Sequence, residues 1–340
     1  MLFEYAIDPK VITDLKSLTF IANKFGVPHG RLISRFPKKP QRGEKIVEVE
    51  AACADQPDRE KSRIEEILRN KPQRWEKMVE AACKDQPDRE KSLIQERLRQ
   101  MAREKTIIAS GRKYYANQTW LENAEQQQSL KKFHAIIANN NPNEREDILI
   151  YDTIQTELEE DVPLFKVQRN QSIPRTPKAL AISVSVLLQN SREILFVDPH
   201  FGPETSRWRM TLQAFLKTAT EAGHQLARCE YALKAKSNNP FFKETCEKEL
   251  PKIIPKDLQL TLIRWEEKQP GEKFHARYIL TDIGGVHIDV GLDKGDEGET
   301  TVISLLDVDL WQKCWHDFQK TANTYKYIDE VNLIGTRPDI

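Results

Sequence analysis

The stretch from Lys273 to Asp293, KFHARYILTDIGGVHIDVGLD, carries an imidazole and a guanidinium two positions apart. Phe274, Ala276, Tyr278 and Leu280 alternate with His275, Arg277, Ile279 and Thr281, which is the period of a β-strand. The spacing therefore predicts that His275 and Arg277 point the same way. An imidazole changes charge near neutral pH, and a guanidinium grips phosphate oxygens through paired N–H donors. Side by side on a rigid strand they suggest a phosphate site. The alternative is structural: His275 hydrogen-bonded within a sheet, and Arg277 paired to Asp282, Asp289 or Asp293.

A second histidine is a candidate for the same site. His200 follows Asp198-Pro199 at the end of the apolar run Ile194 to Asp198, and α/β folds place ligands at such strand ends. Its alternative is a loop cap. His287 lies on the next predicted strand, where a structural role is expected, and Trp311 and Trp315, four apart on a predicted helix, read as packing residues. The five cysteines form no Cys-x-x-Cys pair and no zinc-ligand spacing, so no metal and no cofactor is expected and the thiols read as reduced. The absence of a glycine-rich phosphate loop, a Gly-x-Ser-x-Gly elbow and a His-Glu-x-x-His argues against nucleotide hydrolysis, esterase and zinc-protease chemistry.

These residues must be held by the C-terminal half. Asp282, Gly284 and Gly285 supply turn chemistry, and Val286, Ile288 and Val290 resume alternation, predicting two strands joined by a tight turn. Around this hairpin the patterning predicts helices at 178–189, 204–222, 241–250 and 308–325 and strands at 194–198, 226–233, 259–265 and 300–305. Strands alternating with helices imply an α/β layer structure over 166–340.

The N-terminal part has a different texture. Val11, Leu15, Leu18, Ile21 and Phe25 predict an amphipathic helix stopped by Gly26, and the following HGRLISRFPKK reads as a solvated basic loop. Residues 39–70 and 71–100 repeat one another, sharing EAAC-x-DQPDREKS, and each copy predicts a helical hairpin broken at DQPD. A helix is expected from Trp120 to Ala138, and short strands near 106–110 and 148–154. The expectation is an α+β chain of two domains, a mostly helical 1–165 with a duplicated hairpin, then 166–340.

At 340 residues with 39% apolar side chains the chain can build large cores, and equal totals of 52 basic and 52 acidic residues give no general pull toward nucleic acid or membrane. MLFEYAIDPK contains no secretory core and no apolar run approaches a membrane span, so a cytoplasmic protein without a membrane partner is expected.

His275-Ala-Arg277-Tyr-Ile-Leu-Thr-Asp282 resembles the His-x-Lys-x4-Asp motif of the phospholipase D superfamily, with arginine at the lysine position. That family continues with Gly-Ser-x-Asn, and this chain with Gly291-Leu292-Asp293; ILFVDPHFGP resembles its first strand. The combination is similar to a divergent branch that includes the phospholipase D-like C-terminal domain of MIT-domain proteins and bacterial relatives. The resemblance covers the C-terminal half. It implies a phospholipase D-like sheet flanked by helices and metal-independent phosphodiester cleavage. In it His275 would be nucleophile or acid, Arg277 the phosphate clamp, Asp282 the carboxylate orienting an imidazole, and His200 a substitute for the second histidine. It also implies nucleic acid as substrate, a homodimer or protein partner, and bacterial defence against phage or mobile DNA as the setting. Arginine for lysine implies a rival expectation, a non-catalytic ligand- or protein-binding module.

Overall fold

The computed structural model describes residues 1–37, 74–115, 117–221, 225–235 and 241–338. Contacts divide the chain into two compact units, Phe3–Val167 and Gln168–Ile340 with Met1–Leu2. The chain is α+β, with one sheet in each unit.

The N-terminal unit runs β1 (Phe3–Ile7), α1 (Leu15–Lys24), β2 (Arg31–Arg35), α2 (Trp75–Ala82), α3 (Asp88–Arg103), β3 (Ile107–Ala109), α4 (Trp120–Leu130), β4 (Ala135–Ala138), β5 (Ile148–Ile150) and α5 (Tyr151–Thr156). Its five strands form a wholly parallel sheet in the order β3-β2-β1-β4-β5. Alternate residues of β1 feed two cores. Tyr5 and Ile7 join α1, α2, α3 and α5 through Leu18, Trp75, Leu98 and Ile154, whereas Ala6 joins Phe36, Trp120 and Ile136 on the other face.

This parallel sheet is an addition to the expectation of a mostly helical region, whose helices pack around it. Its strands are three to five residues long, and β3, β4 and β5 read as short apolar runs without alternation. Residues 135–138, assigned from sequence to the end of a helix, form β4, next to the central strand. The expected solvated loop after α1 contains β2. Arg31 there is buried, donating to the Phe165 carbonyl and to Glu159 with its guanidinium over the Phe165 ring. Cation–π contact and carbonyl acceptors satisfy a charge that composition alone assigns to water.

The second repeat forms a helical hairpin: α2 ends at Ala82, α3 begins at Asp88, and Trp75 donates its indole N–H to the Ile7 carbonyl at 2.6 Å. The first repeat, 39–70, lies outside the described residues.

The C-terminal unit runs β6 (Asn170–Pro174), α6 (Pro177–Ser183), α7 (Ser185–Asn190), β7 (Glu193–Val197), α8 (Ser206–Thr220), β8 (Arg228–Lys234), α9 (Phe242–Glu249), β9 (Gln259–Glu267), β10 (Tyr278–Thr281), β11 (Gly285–Ile288), β12 (Thr300–Leu305), α10 (Val308–Asp317) and β13 (Tyr325–Ile334). The sheet order is β13-β9-β8-β7-β10-β11-β12-β6. β7, β8 and β9 are parallel, and β10 turns back antiparallel against β7, pairing Tyr278 with Val197 and Thr281 with Ile194. The α10 helix, expected to reach Tyr325, stops at Asp317, and β13, which the sequence pattern left unread, closes one edge.

Candidate functional site

Because β7, β8 and β9 run the same way, their C-terminal ends share one edge of the sheet, and antiparallel β10 begins there. This edge holds Asp198 and His200 just after β7, Arg277 just before β10, and Asp289 just after β11. The Ile288 N–H donates to the Arg277 carbonyl at 3.0 Å, which ties the last two segments together.

His275 and Arg277 precede β10 rather than lying within it, so strand alternation does not set their directions. His275 is exposed, with Nδ1 3.2 Å from the Lys273 carbonyl. Its segment is anchored by Phe274, whose ring is buried and whose N–H donates to Glu267 Oε1 at 3.0 Å. Glu267 also takes Lys234 Nζ at 2.8 Å. The Lys234 hydrogen bond, with the Phe274 N–H, holds its carboxyl down to about 2.

Arg277 directs Nη1 toward the Asp289 carbonyl at 3.4 Å, and its Nε is buried without a hydrogen-bond partner among the described residues. His287 stands opposite Tyr278 across the hairpin and is half-buried. Burial lowers its pKa, Asp289 opposes the shift, and Arg277 adds to it.

Asp198 organises the loops. Its Oδ1 accepts the His200 N–H at 2.8 Å and its Oδ2 the Leu292 N–H at 2.9 Å. Burial pushes its carboxyl up to about 6, opposed by these two N–H groups and by Arg277 and reinforced by Asp293. Asp293 is itself buried in ion pairs with Arg175 and Arg207, and Arg175 reaches on to Glu299 at 3.3 Å. Gly291 has no room for a side chain: a Cβ there would lie 2.6 Å from Asp293 Oδ1.

The four sequence-derived site residues are thus only partly gathered. Asp198 takes the backbone N–H of His200 and is influenced electrostatically by Arg277, and His275 sits two residues from Arg277 on the same approach to β10. Asp282 does not join them. Its carboxylate accepts the backbone N–H groups of Arg192 at 2.8 Å and Glu193 at 3.3 Å, capping the start of β7 at the opposite end of β10. It orients a strand end, not an imidazole. Asp293 is paired with two arginines that sequence reasoning left out, Arg175 and Arg207, which are distant in the chain and carry no motif. Asp198 had a signal, an Asp-Pro closing an apolar run, but was not assigned to the site.

Among the described residues, no group of three or more His, Cys, Asp or Glu could hold a metal ion, and no helix is long and apolar enough to cross a membrane. No family model and no curated protein matches the chain. Among solved structures, the archaeal chromatin protein TrmBL2, described as showing a novel mode of DNA binding, matches at 14% identity with a TM-score of 0.25. The match covers 73% of this chain and 88% of that one. A score this low establishes no common fold.

Proposed function

We propose that the C-terminal unit is a phospholipase D-like domain that engages phosphodiesters of nucleic acid, in a bacterial defence setting. Arg277 binds a phosphoryl oxygen, and His275 attacks phosphorus in a metal-independent hydrolysis that passes through a phosphohistidine. The second histidine, His200 or the His275 of another copy of the chain, protonates the ester oxygen that His275 expels, and water then displaces the phosphoryl group from His275. The observation that supports this reading best is Arg277 itself, a guanidinium at the site edge whose buried Nε lacks a partner, two residues from an exposed imidazole. An anion there would compensate the guanidinium charge through the exposed end of the group.

The test is cleavage of single- and double-stranded DNA and RNA with EDTA present. Turnover is expected to survive the chelator, to fall below about a hundredth in His275→Ala, and to drop about a hundredfold in Arg277→Ala. No turnover on any substrate, or turnover equal to that of the native protein in both variants, would remove the enzyme. A second reading is then favoured by the position of Asp282, which leaves His275 without the carboxylate the resemblance implied. In that reading the same edge binds a phosphodiester without cutting it, and Arg277→Ala weakens binding while His275→Ala does not.

A further inference from the structure

Asp198 is the buried acid of the site that has no ion pair among the described residues. Asp293 has Arg175 and Arg207, whereas Asp198 has two backbone N–H groups, one from each loop that it joins. The charged and titratable groups facing it are Arg277 from the segment before β10, Asp293 and Arg175 around Gly291, Tyr231 from β8, and His200 on its own loop. Arg207 is committed to Asp293, and His287 and Asp289 neighbour Arg277. A phosphodiester held at Arg277 would bring a second negative charge to the guanidinium that already partly compensates Asp198. Asp198 is buried, so it feels that added charge with little screening by water.

We infer that Asp198 is a positioning residue of this site, which ties the His200 and Leu292 loops together and takes up a proton when a phosphodiester binds at Arg277. The coupling rests on the phosphodiester reading above. One proton removes the excess charge and leaves a carboxyl oxygen that still accepts a loop N–H. Burial has already brought this carboxyl to about 6, so the proton is available close to neutrality. A phosphodiester remains a monoanion throughout this range, so it cannot supply the effect.

The experiment measures binding of a short oligothymidylate with hydrolysis-resistant phosphorothioate linkages, each still a monoanion, by isothermal titration in EDTA. Affinity is expected to tighten about five- to tenfold between about pH 7.5 and about pH 5.5, and heats in two buffers of different ionisation enthalpy should report proton uptake. Asp198→Asn, which cannot titrate, should lose that slope. The variants His200→Ala, His275→Ala and His287→Ala should keep both the slope and the proton uptake. A slope that persists in Asp198→Asn, or that disappears with any one histidine, overturns the coupling and leaves the phosphodiester reading standing. If Asp198→Asn does not fold, the buffer-dependent heats of the native protein and the three histidine variants decide, and absent uptake overturns it. An oligothymidylate that binds the native protein at neither pH overturns the phosphodiester reading itself.

Discussion

Asp282 shows how a motif can be matched while one of its members serves another purpose. A strand rises about 3.3 Å per residue, so seven positions of extended chain separate His275 from Asp282 by about 23 Å. The strand reading of the motif therefore already placed the carboxylate out of reach of the imidazole, and the structure gives it two backbone donors at the start of β7 instead. Asp282→Ala is expected to leave oligothymidylate affinity within about twofold of native while lowering stability in urea by about 1–2 kcal/mol, since both donors lose their acceptor. A variant of native stability that no longer binds would return Asp282 to the site. Asp198 is the contrasting residue. Its sequence signal was equally clear, but its importance lies in touching two loops that are 92 positions apart at His200 and Leu292, and no local pattern encodes that meeting.

The hairpin of β10 and β11 was legible because it alternates, carries turn residues and has one face on a core. Gly285, read from sequence as turn chemistry, has a further role: a Cβ there would lie 2.8 Å from Leu280 Cδ2, 3.0 Å from Trp311 Cδ1 and 3.1 Å from Leu306 Cδ1. It is the close approach that lets α10 settle on the sheet, with the Trp311 indole N–H reaching the Thr281 carbonyl at 3.0 Å. Gly285→Ala should therefore cost about 1–3 kcal/mol by overpacking, read as a lowered urea midpoint at unchanged slope. A neutral effect would mean that α10 slides without cost. The N-terminal sheet was legible at its edges, where the expected strands near 106–110 and 148–154 are β3 and β5, whereas β2 and β4 went unread. β1, β2 and β4 are covered on both faces, and a run such as Ala135–Ala138 has the same apolar texture as a helix end. The helices that flank the sheet, α1, the α2–α3 hairpin and α4, kept a polar face and with it a readable pattern.

At the scale of the whole chain, three hydrophobic cores among the described residues each draw on one unit alone: two from within 3–165 and one from within 195–325. Cooperative unfolding follows shared burial, so cores with no common residue need not melt together. Two variants separate the alternatives. Trp75→Ala empties a fully buried indole position in the N-terminal unit and removes the donor to the Ile7 carbonyl, a loss of about 3–5 kcal/mol. Asp293→Ala strands the buried Arg175 in the C-terminal unit, a loss of about 3–5 kcal/mol of similar size but different origin. Calorimetry of the native chain should resolve two transitions, with Trp75→Ala lowering only one and Asp293→Ala only the other. The transition that moves with Asp293→Ala should also be the one raised by oligothymidylate, because a ligand stabilises the unit that holds its site. If both variants shift one common transition, folding couples the two units. If the ligand raises the transition sensitive to Trp75→Ala, the phosphodiester site belongs to the N-terminal unit and the edge around Asp198 is not where nucleic acid binds.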